Sequence, residues 1–187
     1  MKKELRIFIA GHNGMVGKSL VNYFTKKKFG KLILVSRKEL NLENFAKVNQ
    51  FVKKKKPHVI INCAGRVGGI LANSEFPTEF LNENIQIQTN LIKSAFNFNI
   101  KHLINLGSSC IYPKYSKQPI KEEYLLSGKL EQTNEAYAIA KILGLKMTEF
   151  YNKQYKTNYI SLQPTNLYGE NDNFEVKSSH VIPALIN

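Results

Sequence analysis

A tyrosine and a lysine four positions apart, Tyr137 and Lys141, are the residues of this sequence whose types and spacing point most directly to chemistry. They lie in a run that reads as helical, and residues four apart on an α-helix share one face. A nearby cation favours the ionised form of a tyrosine hydroxyl, whose pKa is ordinarily about 10. The pair therefore predicts a phenol that exchanges protons nearer neutrality, as the interconversion of carbonyl and alcohol requires. The same spacing can occur by chance, so its meaning depends on its surroundings.

Three small polar residues, Ser108, Ser109 and Cys110, follow an apolar run at residues 103–106 that we interpret as a strand. In an open α/β sheet, ligands bind beyond the carboxyl ends of the strands. Ser108 or Ser109 can hydrogen-bond a substrate carbonyl oxygen and the Tyr137 phenol, and the alternative is a serine-rich turn without function. Cys110 is either inert or a thiol whose ionised form a neighbouring cation makes accessible.

A glycine-rich turn follows the first apolar run, residues 5–10, and leads into a helical pattern of apolar residues. Its glycines permit a tight turn, close approach of the backbone to a pyrophosphate, and close packing of helix and strand. The position between a strand and a helix indicates a dinucleotide site. The turn consists of Gly11, His12, Asn13, Gly14, Met15, Val16 and Gly17.

The second predicted strand, residues 32–35, ends at Ser36, Arg37 and Lys38. A site for NAD usually has an acidic residue here for the ribose hydroxyls, and none follows this strand directly. Arg37, together with Ser36 and Lys38, can instead hold the 2′-phosphate of NADP. The sequence therefore favours NADP, and the alternative is that Arg37 is a surface cation.

These segments predict a Rossmann-type doubly wound parallel α/β sheet, in one NADP-binding domain that spans residues 1–187. Further strands are predicted at residues 59–62, 103–106 and 159–163. Helices are predicted at residues 42–55 and 77–98, and from residues 133–135 to beyond residue 150.

The composition and net charge indicate which kinds of molecule this protein binds. The 187 residues are 43% apolar and carry a formal charge of +13. The basic residues are scattered without an aromatic-interleaved motif, so we expect no nucleic-acid partner, and the charge favours a polyanionic small ligand such as a dinucleotide or a nucleotide sugar.

No run of about 18 apolar residues and no signal-peptide core is present, so we expect a cytoplasmic protein without a membrane partner. The two cysteines, Cys63 and Cys110, lack metal-ligand spacing, and we expect free thiols and no bound metal.

His180 can be a proton donor or a surface residue.

Six segments together resemble the GDP-L-fucose synthase family of the extended short-chain dehydrogenases/reductases. They occur in that family's order: Gly-His-Asn-Gly-Met-Val-Gly at 11–17, Val-Gly-Gly-Ile at 67–70, Gly-Ser-Ser-Cys-Ile-Tyr-Pro at 107–113, Tyr-Ala-Ile-Ala-Lys at 137–141, Pro-Thr-Asn-Leu-Tyr-Gly at 164–169 and Ser-His-Val-Ile-Pro at 179–183.

The resemblance implies NADPH-dependent epimerisation and reduction of GDP-4-keto-6-deoxy-D-mannose to GDP-L-fucose. Tyr137 would protonate the C4 oxygen, Lys141 would lower the pKa of that phenol and hold the cofactor ribose, and Ser108 would bind the keto oxygen. Cys110 and His180 would be the base and acid that invert C3 and C5.

The resemblance also implies a set of residues at the cofactor, and a homodimer that pairs through the two long helices. Beyond the glycine-rich turn and Arg37, the cofactor residues would be Leu106, Gly107, Lys141, Pro164, Thr165, Asn166, Leu167 and His180.

The sequence departs from the family pattern in two places. It stops shortly after His-Val-Ile-Pro at 180–183, where the family continues into a smaller domain that grips the GDP moiety. We therefore expect the polypeptide as given to bind NADPH but to have little synthase activity. Arg66, just before Val-Gly-Gly, also differs from the family pattern, which leaves its role open.

Two other functions compete with this interpretation. One is another NAD(P)-dependent nucleotide-sugar epimerase or dehydratase, although such enzymes usually carry an acidic pair after the active-site serine, where this sequence has Ser109 and Cys110. The other is a non-catalytic sensor or scaffold that binds NADP without turnover.

Overall fold

The computed structural model describes residues 4–175 and 181–186 of the chain. The strands are β1 (Arg6–Ala10), β2 (Lys31–Ile33), β3 (Val59–Asn62), β4 (His102–Leu106) and β5 (Asn158–Leu162). The helices are α1 (Met15–Lys26), α2 (Phe45–Lys55), α3 (Ile70–Glu75), α4 (Pro77–Asn97), α5 (Glu135–Tyr155) and α6 (Val181–Ile186).

The strands form one parallel sheet in the order β2-β1-β3-β4-β5. Ile7 of β1 lies opposite Leu32 on one side and Val59 on the other. The order reverses at β1, since β2 lies on one side of it and β3 and the later strands on the other. The doubly wound parallel sheet is thus confirmed, and its crevice lies beyond the carboxyl ends of β1 and β3.

Alternate residues of β1 belong to two apolar layers. Phe8 is packed in a cluster with Val48 of α2 and Leu91 of α4. Ile7 and Ile9 belong to a second cluster, against which the helix α1 packs. Strands covered on both faces are apolar at successive positions, which explains why β1 reads as a continuous apolar run.

The observed boundaries differ from the predicted ones by a few residues. The helix expected from residue 42 begins at Phe45, because Asn44 caps it by accepting a hydrogen bond from the Lys47 N–H at 3.0 Å. The same helix ends before Lys56, which has a left-handed φ of 46°. The second strand ends at Ile33 rather than at residue 35.

The two long predicted helices are confirmed as α4 and α5, each of 21 residues. They pack closely at Gly144 of α5, where an added Cβ would collide with the side-chain amide of Gln88 in α4. No helix within the described part of the chain is long and apolar enough to cross a membrane.

Candidate functional site

The glycine-rich turn lies where the sheet order reverses. Gly11 has a φ of +79°, and a Cβ there would lie 2.6 Å from the backbone nitrogen of Ala64, in the loop after β3. A Cβ at Gly17 would collide with the Gly11 carbonyl oxygen. Both positions therefore require glycine, for the left-handed backbone and for close packing of α1 on the turn.

The N-terminus of α1 faces this turn without a side-chain cap. Gly14 occupies the N-cap position with no side-chain cap hydrogen bond, and the first helical turn contains no acidic residue. The first N–H groups of a helix have no partner within the helix, and together with the dipole they favour an anion. The turn therefore fits a pyrophosphate. The other predicted cofactor residues of this segment are in the turn, at His12 and Asn13, and at the start of α1, at Met15 and Val16.

Ser36 and Arg37, which follow β2, are both bonded to carboxylates. The Ser36 N–H and hydroxyl both donate to Glu39 Oε2, at 3.1 and 2.7 Å. Arg37 Nη2 contacts Glu43 Oε1 at 3.0 Å and Glu83 Oε2 at 3.4 Å, and the Arg37 side chain remains 76% exposed. Arg37 is therefore accessible to a ligand, but it is already held by two acids.

Lys141 is fixed at the end of β4. Its Nζ donates to the Leu106 carbonyl oxygen at 2.8 Å and lies 5.4 Å from the centre of the Tyr137 ring. Lys141 is only 4% exposed, and burial lowers its pKa to about 8. The helical spacing thus brings the predicted pair together, with Lys141 buried and Tyr137 partly buried.

The expectation that the pKa of the Tyr137 phenol lies nearer neutrality is wrong for this structure. Burial raises the pKa of the Tyr137 phenol well above its usual range, and the charge of Cys110 raises it further. The Lys141 cation is hydrogen-bonded to Leu106 rather than to the phenol, so burial decides the direction of the shift in the pKa of Tyr137. The phenol therefore stays protonated at neutral pH, which suits a proton donor.

Ser108 lies at the end of β4 and is positioned by a residue that the sequence analysis missed. Its N–H donates to Gln163 Oε1 at 2.9 Å, and Gln163 Nε2 donates to Ser161 Oγ at 3.0 Å. A Cβ at Gly107 would collide with this same amide. No local pattern marks Gln163 as the residue that positions Ser108, because Ser108 follows the neighbouring strand β4, 55 residues away in the chain.

Cys110 occupies a short 3-10 turn, Ser109–Ile111, next to Ser108. Its N–H donates to Ser108 Oγ at 3.3 Å. Burial raises the pKa of the Cys110 thiol more than the neighbouring Lys141 cation lowers it, so the thiol is protonated at neutral pH. The same cause raises the pKa of Cys63 to about 11, which fits its interpretation as a small apolar residue.

The segment after β5 comes to the same edge of the sheet. The Ser109 N–H donates to the Pro164 carbonyl oxygen at 2.9 Å, so residues 164–167 begin beside the Ser108 turn. Thr165, Asn166 and Leu167 are exposed there. His180 lies outside the described residues.

A chain of buried amides links the strands to α5 behind the site, and sequence reasoning missed it. Asn62 Nδ2 donates to Asn105 Oδ1 at 2.8 Å, and Asn105 Nδ2 donates to Gln88 Oε1 at 2.9 Å. Gln88 Nε2 donates to the carbonyl oxygen of Ala140, next to Lys141, at 3.1 Å. These three side chains are at most 1% exposed, so the relay joins β3, β4 and α4 to the backbone beside Lys141.

The loop after β3 approaches Lys141 closely. A Cβ at Gly65 would lie 2.6 Å from Asn84 Oδ1 and 3.7 Å from Lys141 Nζ. Asn84 Nδ2 in turn donates to the Arg66 carbonyl oxygen at 3.0 Å. Arg66 pairs with Glu83 at 2.7 Å and lies over the Phe80 ring, which assigns it a structural role in holding this loop on α4.

A family model described as the NAD dependent epimerase/dehydratase family matches residues 7–187 of the sequence. The chain belongs to this family. Among family members, it is 49% identical over 181 residues to the GDP-L-fucose synthase of Sinorhizobium fredii, covering 97% of the chain and 57% of that relative. It is 48% identical to the Escherichia coli GDP-L-fucose synthase, of which it covers 58%. The chain thus spans a little over half the length of these epimerase/dehydratase relatives.

Solved structures of the epimerase/dehydratase family superpose on the whole chain. A GDP-D-glycero-L-gluco-heptose synthase from Campylobacter jejuni, crystallised in the presence of NADPH, has a TM-score of 0.94 at 42% identity, and the chain covers 54% of it. A GDP-L-fucose synthetase from Naegleria fowleri bound to NADP has a TM-score of 0.89 at 30% identity, and the chain covers 61% of it.

Proposed function

We propose that this chain is the NADP-binding and catalytic part of an enzyme that epimerises and reduces GDP-4-keto-6-deoxy-D-mannose to GDP-L-fucose. The observation that carries the proposal is the pairing of Tyr137 with the buried Lys141, whose Nζ is bonded to Leu106 at the end of β4, just before Ser108 in the chain. The 49% identity to a GDP-L-fucose synthase supports this choice of substrate.

The site geometry supports several of the proposed cofactor residues. The turn at residues 11–17 would take the pyrophosphate, since its glycines leave room where a Cβ would collide with the backbone. Arg37 would face the 2′-phosphate and Lys141 the ribose. Residues 106–107 and 164–167, at the ends of β4 and β5, would lie along the nicotinamide side. His180, outside the described residues, is a proposed cofactor residue from the resemblance alone.

In the reduction, NADPH when bound supplies the hydride that reaches C4 of the sugar. Tyr137 holds a proton that it gives to the C4 oxygen, and burial keeps that proton in place at neutral pH. Ser108 donates a hydrogen bond to the same oxygen. The Lys141 ammonium stabilises the phenolate that remains after the transfer.

In the epimerisation, the protons at C3 and C5 are acidic because both carbons flank the C4 ketone. A base removes each proton, an enolate forms, and an acid returns a proton to the opposite face of the carbon. Cys110 and His180 would be this base and acid, and Ser108 and Tyr137 would stabilise the enolate oxygen. One oxyanion site would thus serve both reactions.

We infer that two copies pair through α4 and α5. Ile139 and Phe150 of α5 are 45% and 62% exposed, and with Leu143 between them they form an apolar stripe at helical spacing. Sedimentation should show a dimer that Phe150→Glu dissociates, and a monomer before substitution would contradict the pairing.

The free cysteines Cys63 and Cys110 fit a reducing compartment such as the cytoplasm.

The proposed function is tested with the purified protein, NADPH and the keto sugar. We expect NADPH to bind and only slow loss of NADPH absorbance with formation of GDP-L-fucose, and Tyr137→Phe should reduce this slow rate by at least about 100-fold. Conversion of a GDP-heptose but not of the 6-deoxy sugar would favour the function named for the Campylobacter neighbours. Tight NADPH binding without turnover of either sugar would favour the sensor or scaffold.

A further inference from the structure

The edge of the sheet opposite the proposed active site is lined with lysines. The five strands are parallel, so all of them begin at this edge, and α1, α2, α4 and α5 end there because each helix returns the chain to the next strand. Exposed lysines lie in the last helical turns, in the loops before the strands and at the start of β2. The residues that we call the basic face are Lys26, Lys27, Lys28, Lys31, Lys53, Lys54, Lys56, Lys101, Lys153 and Lys156.

The basic face contains almost no opposing charge. Glu4, just before β1, is the only acidic residue in the described loops that precede strands and in the last turns of these four helices. Among residues 4–175 and 181–186, no lysine of the basic face forms an ion pair. Elsewhere in the described chain, lysines and arginines nearly balance the acids, so the formal charge of +13 comes mainly from this face. A dinucleotide bound at the opposite edge therefore does not account for the charge.

Helix dipoles explain only part of this charge. The C-terminal end of a helix carries about half a negative elementary charge, which a single cation offsets. The last turn of α2 contains three lysines, and Lys56 follows it directly. The last turn of α1 contains Lys26, and Lys27 and Lys28 follow. Because like charges on neighbouring helical positions repel each other, this excess indicates an anionic partner outside the chain.

The shape of the basic face favours a planar partner. Its cations extend from Lys31, at the start of the outer strand β2, to Lys156, before the outer strand β5, a width of roughly 20 Å for five strands. Lysines of α1 lie on one side of the strands, and lysines of α2 and α5 lie on the other. A broad plane of cations matches the surface of an anionic bilayer, whereas duplex DNA is bound along a stripe or by an element that enters a groove.

Two exposed aromatic side chains border the basic face. Phe29, between α1 and β2, is 52% exposed, and Tyr155, the last residue of α5, is 48% exposed. They precede the two outer strands of the sheet. Aromatic side chains next to lysines are typical of surfaces that lie at the boundary between lipid headgroups and acyl chains.

We propose that the basic face docks this protein on an anionic phospholipid bilayer, with the proposed active site directed away from the membrane. Each lysine close to such a surface strengthens binding about fivefold at physiological salt. The expectation of no membrane partner depends on the absence of a membrane-spanning run, and peripheral docking needs no such run.

The test is co-sedimentation of the protein with vesicles of equal parts phosphatidylcholine and phosphatidylglycerol at about 0.1 M salt. Wild-type protein should bind these vesicles but not vesicles of phosphatidylcholine alone, and about 1 M salt should abolish binding because charges are then screened within about 3 Å. Lys53→Gln combined with Lys54→Gln should weaken binding at least about tenfold. Phe29→Ala should weaken it about threefold, because the ring no longer enters the headgroup layer.

The control variant combines Lys117→Gln with Lys129→Gln, which removes the same charge from exposed positions between β4 and α5, at the opposite edge of the sheet. It should change vesicle binding by less than about twofold, because these lysines lie beyond the screening length from the bilayer. Equal losses in the two double variants, or no binding of wild-type protein to the anionic vesicles, would overturn the proposal. Displacement of the protein from the vesicles by an equal concentration of duplex DNA would also overturn it, in favour of a nucleic-acid surface.

Discussion

The side-chain nitrogen of Lys141, in α5, lies 2.8 Å from the carbonyl oxygen of Leu106, the last residue of β4. This hydrogen bond joins the helix that carries Tyr137 to the strand that leads into Ser108. It satisfies one donor of a lysine that is only 4% exposed. The Lys141 cation, which we propose also binds the cofactor ribose, therefore fixes the helix of the proposed proton donor, Tyr137, to the strand that leads to the proposed carbonyl ligand, Ser108.

Burial of Lys141 should make stability depend on pH. Its pKa is lowered from 10.5 to about 8 in the folded protein, so between these values the unfolded chain binds the additional proton. Stability relative to Lys141→Met should therefore rise as pH increases from about 8 to about 10.5, by on the order of 3 kcal/mol. Urea unfolding of both proteins across this range measures the difference. Lys146→Met controls for the loss of a lysine from the same helix, and parallel pH profiles for wild type and Lys141→Met would contradict the prediction.

The two reactions of the proposed enzyme should respond oppositely to pH. Reduction should decline as pH rises through about 8, because Lys141 then loses the charge that stabilises the phenolate. Epimerisation should increase into the alkaline range, because burial raises the pKa of the proposed base Cys110. NADPH consumption reports the first reaction, and deuterium incorporation at C3 and C5 reports the second. Deuterium incorporation that persists in Cys110→Ser would remove this thiol from the mechanism.

Gly107 and Gln163 should be energetically coupled. Gly107→Ala forces the Gln163 amide out of its position, and the Ser108 N–H loses its acceptor. We expect the single substitution to cost about 1–3 kcal/mol of unfolding free energy. In a Gln163→Ala background the collision is absent, so the same substitution should cost clearly less. A double-mutant cycle measured by urea unfolding gives the coupling, and additive effects would show that the two residues act independently.

Interrupting the buried amide relay should destabilise the protein strongly. Gln88→Leu leaves the Asn105 amide and the Ala140 carbonyl group without their partner in a site that is 0% exposed at Gln88. We expect a loss of about 2–4 kcal/mol, since unpaired buried polar groups lose their full solvation. Gln86→Leu, at an exposed position of the same helix, is the matched control and should change stability by less than about 0.5 kcal/mol. Equal effects of the two substitutions would show that the relay contributes little.

The sequence by itself determined the order of the five strands and of the long helices, although the short helices α3 and α6 were not predicted. Continuous apolar runs predicted the strands within one or two residues, and the glycine-rich turn and the Tyr137–Lys141 spacing pointed to the edge of the sheet where the structure brings them. These features depend on residues close together in the chain, where backbone sterics and periodicity dominate.

Tertiary structure alone decided how that site is charged and held. Gln163 positions Ser108 from 55 residues away, and Gln88 meets Ala140 across 52 residues. Burial, which no local pattern encodes, raises the pKa of Tyr137 and lowers the pKa of Lys141. The sequence had instead predicted a lowered pKa for Tyr137. Protonation states and long-range hydrogen bonds depend on the completed core, because desolvation acts on a group only when distant segments close over it.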